Sequence, residues 1–191
     1  MGKYLRNILG FWNNQKRGNS SKDPKYIIRK ATLDDSHQIG YVHYKSWLET
    51  YRGIVDDVYL DNLSVDSKVE SAKSYYRNCF VAVVSDEIIG IATSDITRDD
   101  DLDNTLEIIG IYILKKYHNF GIGKALITKC FEPNNQYNYV SLWVSKRNSN
   151  AINAYKKIGF DCDGCEKNYR IGKSEIEIIR MIMPSNKIHS I

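Results

Sequence analysis

The stretch "YHNFGIGKAL", Tyr117 to Leu126, sets Gly121 and Gly123 one residue apart at the point where strand-like sequence gives way to helix-like sequence. Before it, "TLEIIGIYIL" reads as a strand; after it, Gly123 to about Phe131 reads as a helix. The first turn of a helix leaves several backbone N–H groups without partners, and the helix dipole favours negative charge beside them. Glycine removes the side chains that would keep a phosphate off that backbone, and Lys115, Lys116 and Lys124 add positive charge nearby. Glycine also serves merely to let a chain turn, so the strand before and the helix after carry the argument. The spacing fits neither G-x-x-x-x-G-K-[ST] nor a three-glycine dinucleotide fingerprint, which leaves a phosphorylated ligand held in another way.

Outward from this loop the chain alternates regularly. "YIIRKAT" reads as a strand, and Asp34 or Asp35 can cap a helix bearing Ile39, Val42, His43, Trp47 and Tyr51 on or near one face. A second helix follows from about Val65 to Tyr76. "CFVAVVS" and "IIGIATSDI" flank Asp86 and Glu87 in the pattern of a hairpin with a two-residue turn. Beyond the glycine loop, "YVSLWVS" is a strand, "NSNAINAYKKIGF" a helix ending at Gly159, and "SEIEIIRMIM" a closing strand after turns around Gly164 and Gly172. This order predicts a mixed sheet of about seven strands with helices on both faces, an α+β domain of three-layer α/β/α type.

At 191 residues the chain can bury a sizeable core without disulfides or metal, so Cys79, Cys130, Cys162 and Cys165 need not form a framework. Cys79 and Cys130 sit in apolar runs where a reduced thiol packs as a small hydrophobe, which favours a reducing, cytoplasmic compartment. No run is long and apolar enough for a membrane span, and a scattered net charge of +4 does not point to nucleic acid. Residues 1–25 form a polar, basic extension and linker closed by Pro24, in which Tyr4, Leu5, Ile8, Leu9 and Trp12 allow a short basic amphipathic helix. The domain is expected over 26–184, with 185–191 as a C-terminal tail.

Three separated motifs resemble the GNAT superfamily of acetyl-CoA-dependent N-acetyltransferases. "HNFGIG", His118 to Gly123, matches the family's Arg/Gln-x-x-Gly-x-Gly/Ala, with His118 in place of Arg or Gln. Asn148, Ala151, Tyr155, Gly159 and Phe160 fall at the family's spacing, and "SWLETYRGI", Ser46 to Ile54, looks like its helix-to-loop segment. The resemblance implies a mostly antiparallel sheet and an acetyl-CoA cosubstrate with no metal. Its pantetheine arm would lie on backbone groups of Ile111 and Ile113, its pyrophosphate on His118, Asn119, Phe120, Gly121, Ile122, Gly123 and Lys124. Asn148 and Ala151 would also contact the cosubstrate, although Asn148 can equally cap its helix. Because backbone N–H groups supply most of a phosphate grip, a histidine at 118 is tolerable.

The resemblance further implies direct transfer to a primary amine, with Tyr155 protonating the leaving thiolate and Glu107 accepting the amine's proton directly or through water. Glu107 can instead be an exposed strand residue pairing with a neighbour, and Tyr155 a core residue. Trp47 and Tyr51 would wall the acceptor pocket, though an i, i+4 aromatic pair also suits a core. The acidic run "TRDDDLDN", Thr97 to Asn104, can attract cationic amines or be a solvated loop. "CDGC", Cys162 to Cys165, is half a zinc-site pattern without a second pair and reads better as a turn. A non-catalytic acyl-CoA sensor and a nucleotide-binding protein are the other readings; homodimerisation is left open.

Overall fold

The computed structural model describes residues 24–134 and 136–190. The amphipathic helix expected near the N-terminus lies outside them. Seven strands, β1 (Ile27–Lys30), β2 (Cys79–Val84), β3 (Glu87–Ile96), β4 (Thr105–Ile113), β5 (Tyr139–Ser145), β6 (Asp161–Ile171) and β7 (Ser174–Pro184), form one sheet in the order β1-β2-β3-β4-β5-β7-β6. Every neighbouring pair is antiparallel except β4 with β5. The five described α-helices are α1 (Ser36–Tyr51), α2 (Asp57–Asp61), α3 (Val65–Tyr75), α4 (Ile122–Phe131) and α5 (Ser149–Ile158). None is long and apolar enough to cross a membrane.

Strand alternation divides the core between the two faces. Leu106 and Ile108 of β4, Val140, Leu142 and Val144 of β5, and Met181 and Met183 of β7 pack with Ile122, Leu126 and Cys130 of α4 and with Phe160 after α5. On the other face, Val81, Val83 and Ile91 meet Ile39 and Val42 of α1 and Ala72 of α3. A Cβ at Gly40 would stand 2.6 Å from the Val69 backbone nitrogen, so glycine is what lets α1 and α3 approach. Asp35 anchors the start of α1: Arg29 gives its carboxylate two hydrogen bonds of 2.7 and 2.8 Å, and the Thr32 amide a third. Those donors, the guanidinium first, pull the Asp35 pKa down to about 2.

Three local expectations are corrected. The β2–β3 turn is Ser85–Asp86 rather than Asp86–Glu87; both have positive φ, 49° and 68°, as a twist-matched two-residue hairpin requires. "CDGC" is not a turn between elements but a bulge within β6, where pairing with β7 lapses between Cys162 and Glu166 and Gly164 has φ +91°. The short α2 was not anticipated; Asp56 caps it by accepting from the Val58 amide. Beyond β7, Ser185–Ser190 form a 3₁₀ turn that buries Ile188 in the main core.

Candidate active site

The parallel pairing of β4 with β5 runs only from Thr105–Tyr139 to Ile108–Leu142, and the rest of β4 continues without a partner on that side. The parting begins at a bulge: against β3, Gly110 pairs with Thr93 and Ile108 with Ser94, so Ile109 is the extra residue. The bulge bends β4 away and also resets side-chain parity. Leu106 and Ile108 share the α4 face with Ile111 and Ile113, whose δ-carbons lie 3.8 and 3.5 Å from a Cβ placed on Gly123. Tyr112 and Gly110 therefore fall on the α1 face with Glu107.

Backbone phase follows from one hydrogen bond. Leu114 N–H donates to Ile89 O at 3.0 Å, so Leu114, Tyr112 and Gly110 turn their N–H and C=O groups to β3. Those of Ile111 and Ile113 point into the opening. These are the two residues whose backbone groups the sequence expectation singled out for the pantetheine arm.

At the top of β4 the glycine loop enters α4. Gly121 is the N-cap in the left-handed region, φ +75°, and Asn119 two residues earlier has φ +67°. Asparagine is among the few side-chain-bearing residues that tolerate this conformation. Gly123 faces Ile111 and Ile113, Ile122 is buried, and Phe120 and Lys124 border the exposed side of the loop. His118 neither points into the core nor stacks on Tyr117: its Nε2 lies 2.8 Å from Ile113 O, the geometry of a ring N–H donating to that carbonyl. Lys115 N–H donates to Glu49 of α1, tying the loop to the opposite layer.

The open end of β4 is filled by aromatic groups. Tyr155 of α5 packs edge-on to Phe160 with centroids 5.9 Å apart. Burial, reinforced by the nearby Tyr51 and Tyr112 phenols, pushes its pKa above the ordinary value of 10.0, so the hydroxyl keeps its proton. Asn148 is the N-cap of α5, accepting from the Ala151 amide at 3.1 Å, which realises one of its two expected roles. Trp47 stacks obliquely with Tyr51 at 4.7 Å, with Lys68 Nζ 4.6 Å above its ring, and both aromatics border a cluster containing Val55, Leu60 and Ile178. His43, missed as a site residue, stacks on Tyr112 at 4.4 Å. Desolvation first, then Lys68, lowers its pKa to about 3. The Trp47 indole N–H is near enough to Tyr112 to influence its ionisation but has no partner in hydrogen-bond geometry, and neither does His43 Nε2.

Glu107 is not the exposed strand residue that one expectation allowed. Its side chain is 3% exposed, and Arg98 donates from Nη2 to Oε1 at 2.7 Å and from Nε and its own amide to Oε2 at 3.3 Å. Within the acidic run that follows Arg98, Asp99 and Asp101 are held in ion pairs, while Asp100 and Asp103 are exposed. Arg180 of β7, 4% exposed, holds Asp101 through two hydrogen bonds and Asp163 through a third, and pairs with Asp99 at 3.5 Å. Asp99 also accepts from Trp143 Nε1 and Lys167 Nζ. This clamp fixes the β3–β4 connection over β5, β6 and β7. One signal for it was present in the sequence: a lone arginine in the apolar run "EIIRMIM" demands buried anions. Among the described residues no group of three or more metal-binding side chains is assembled.

A mixed sheet opening between parallel β4 and β5, with a glycine-capped helix at the head of the opening, is a fold this chain shares with N-acetyltransferases of solved structure. The chain belongs to the acetyltransferase (GNAT) family, whose model matches residues 44–160. It is 31% identical over 131 residues to the uncharacterized N-acetyltransferase YuaI of Bacillus subtilis, covering 65% of this chain and 75% of that one. It is 30% identical over 151 residues to an N-alpha-acetyltransferase of Sulfurisphaera tokodaii, covering 74% and 83%. The structure of the PaiA N-acetyltransferase of Thermoplasma acidophilum, in complex with coenzyme A, superimposes with a TM-score of 0.65 at 21% identity, covering 84% of this chain and 99% of that one. The protein is thus an acyltransferase of this family.

Proposed function

We propose that the protein transfers the acetyl group of acetyl-CoA directly to a primary amine. The observation that carries this reading is the unpaired edge of β4, where the backbone groups of Ile111 and Ile113 face an opening that leads straight to the left-handed N-cap of α4. The pantetheine arm adds to that edge as an extra strand would. The pyrophosphate rests on the amides of residues 119–124, aided by Lys124, and His118 gives up or shares the Ile113 carbonyl as the arm docks.

The acceptor enters from the α1 face, along Trp47 and Tyr51. Its nitrogen attacks the thioester carbonyl, and an amide N–H at Ile113 stabilises the oxyanion. As the tetrahedral species collapses, the C–S bond breaks and sulfur leaves with the electron pair. Tyr155 hydrogen-bonds to that thiolate; because burial holds its proton tightly, it acts as donor more than as a stoichiometric acid. The proton lost by nitrogen passes to Glu107, directly or through water. A lysine-like amine, pKa about 10.4, needs such an acceptor at neutral pH. The buried thiols of Cys79 and Cys130, neither in a disulfide, fit a reducing cytoplasmic setting.

The test is calorimetric titration with acetyl-CoA, ATP serving as competitor, followed by an amine screen that measures released thiol. Micromolar binding unaffected by ATP, with turnover on at least one amine, is the expected result. Binding without turnover on any amine favours the sensor; preference for ATP removes both readings.

A further inference from the structure

Glu107 faces a cation that already occupies it. Resting on the acetyl-transfer reading, we infer that Arg98 is an exchangeable counter-ion: it fills the amine position beside Glu107 and Ser141 until the ammonium of the acceptor displaces it.

Exposure within this ion pair is lopsided. The carboxylate side is 3% exposed and the Arg98 side chain 70%, so the guanidinium lies between Glu107 and solvent. A buried carboxylate stripped of its partner is costly, whereas a guanidinium that is already mostly hydrated returns to water cheaply. Exchange for another cation avoids the penalty; a neutral alcohol or thiol cannot make the same replacement. The site should therefore admit protonated amines and discriminate against neutral nucleophiles.

Two further features fit exchange rather than a fixed bridge. First, the loop carrying Arg98 does not depend on this ion pair, because Asp99 and Asp101 are anchored by Trp143, Lys167 and Arg180. The Arg98 amide, 3.3 Å from Oε2, can keep orienting Glu107 after the guanidinium leaves. Second, Ser141 pairs in register with Glu107 on the same face, is fully buried, and its Oγ has no hydrogen-bond partner. Arg98 reaches only the carboxylate. An ammonium has three N–H donors and can serve both groups before one proton moves to Glu107 and frees the nitrogen lone pair. Asp95, in register with Glu107 on β3, accepts from Asn78, and Tyr169 and Asp99 lie close enough to Arg98 to act on its charge.

The probe is methylammonium chloride, with sodium chloride at equal ionic strength as control. Arg98→Ala should melt a few degrees below wild type. Millimolar methylammonium should restore at least half of that loss, with no comparable effect on wild type or on Arg98→Ala/Glu107→Gln. With any amine that wild type acetylates, Arg98→Ala should lower KM about tenfold, the worth of one charged hydrogen bond, while kcat changes much less; Arg98→Lys should lie between. Should Arg98→Ala fail to fold, Arg98→Gln takes its place in both arms. No methylammonium effect beyond sodium, or a KM that rises, overturns exchange and makes Arg98 a fixed support. If wild type acetylates no amine, the proposed activity fails, and the melting experiment alone decides whether the exchange position exists.

Discussion

The two sides of the β4 opening are built from different materials. Toward α4 the surface is main chain: the outward groups of Ile111 and Ile113, the turn at Asn119, and the N-cap Gly121. Toward α1 it is side chains, Tyr51, Tyr112, Trp47, His43 and Glu107, held by stacking and ion pairs, with Tyr155 reaching toward Tyr51 and Tyr112 from the α4 layer. A main-chain surface tolerates substitution so long as its dihedrals survive, which is why His118 can stand where the family has Arg or Gln. A side-chain surface changes whenever one residue does. Recognition of a common cosubstrate suits the first, and choice of acceptor suits the second.

The strongest test of this contrast lies in the supports of the side-chain half. Arg180→Met removes the arginine from Asp101 and Asp163, while Asp99 keeps Trp143 and Lys167, and should cost about 2 kcal/mol in urea unfolding. His43 should govern acid sensitivity. Its folded pKa of about 3 lies below the ordinary imidazole value of 6.5, so the unfolded chain takes up a proton first. The stability it contributes is present above pH 6.5 and is lost as pH falls toward 3, by roughly 2 to 3 kcal/mol at pH 4. His43→Phe should flatten that decline in denaturation curves collected between pH 7 and 4.

Smaller effects separate chemistry from binding. Tyr155→Phe should reduce kcat by about tenfold to a hundredfold, the range for a hydrogen bond to a charged group, and leave the acetyl-CoA Kd within about twofold. Gly121→Val forces a β-branched residue to φ +75° and should weaken acetyl-CoA binding about tenfold by calorimetry, with little effect on acceptor preference. The least change is expected from His118→Ala, about threefold or less in Kd. A hundredfold loss there would mean that a side chain, not the main chain, carries the phosphate grip.

The same division governs what the sequence disclosed. The glycine loop, the strand before it and the helix after it were legible because dihedral demands and periodicity are local. Asn148 was legible as a cap for the same reason. The clamp around Arg180 was not, because it joins residues far apart in the chain, Asp99 with Lys167 and Asp101 with Arg180; the grip of Arg98 on Glu107 is local in sequence but depends on how the β3–β4 connection folds back over β4. The acidic run was read for its charge, but the partners of Asp99 and Asp101 come from three strands beyond β4, namely β5, β7 and β6. Strand alternation is no guide where bulges intervene, at Ile109 and at Gly164, since period two holds only while pairing is unbroken.

Ile109 works as a change of reading frame. Upstream of it even-numbered residues of β4 face α4; downstream odd-numbered ones do. Drawn into unbroken pairing with its residue count unchanged, β4 would carry Tyr112 to the α4 face and Ile111 and Ile113 to the α1 face, whereas deleting Ile109 together with its bulge would leave all three where they are. The spacing between Glu107 and Tyr112 therefore decides which side chains share the α1 face, and a relative with one residue more or fewer there should be aligned by frame before its side chains are compared.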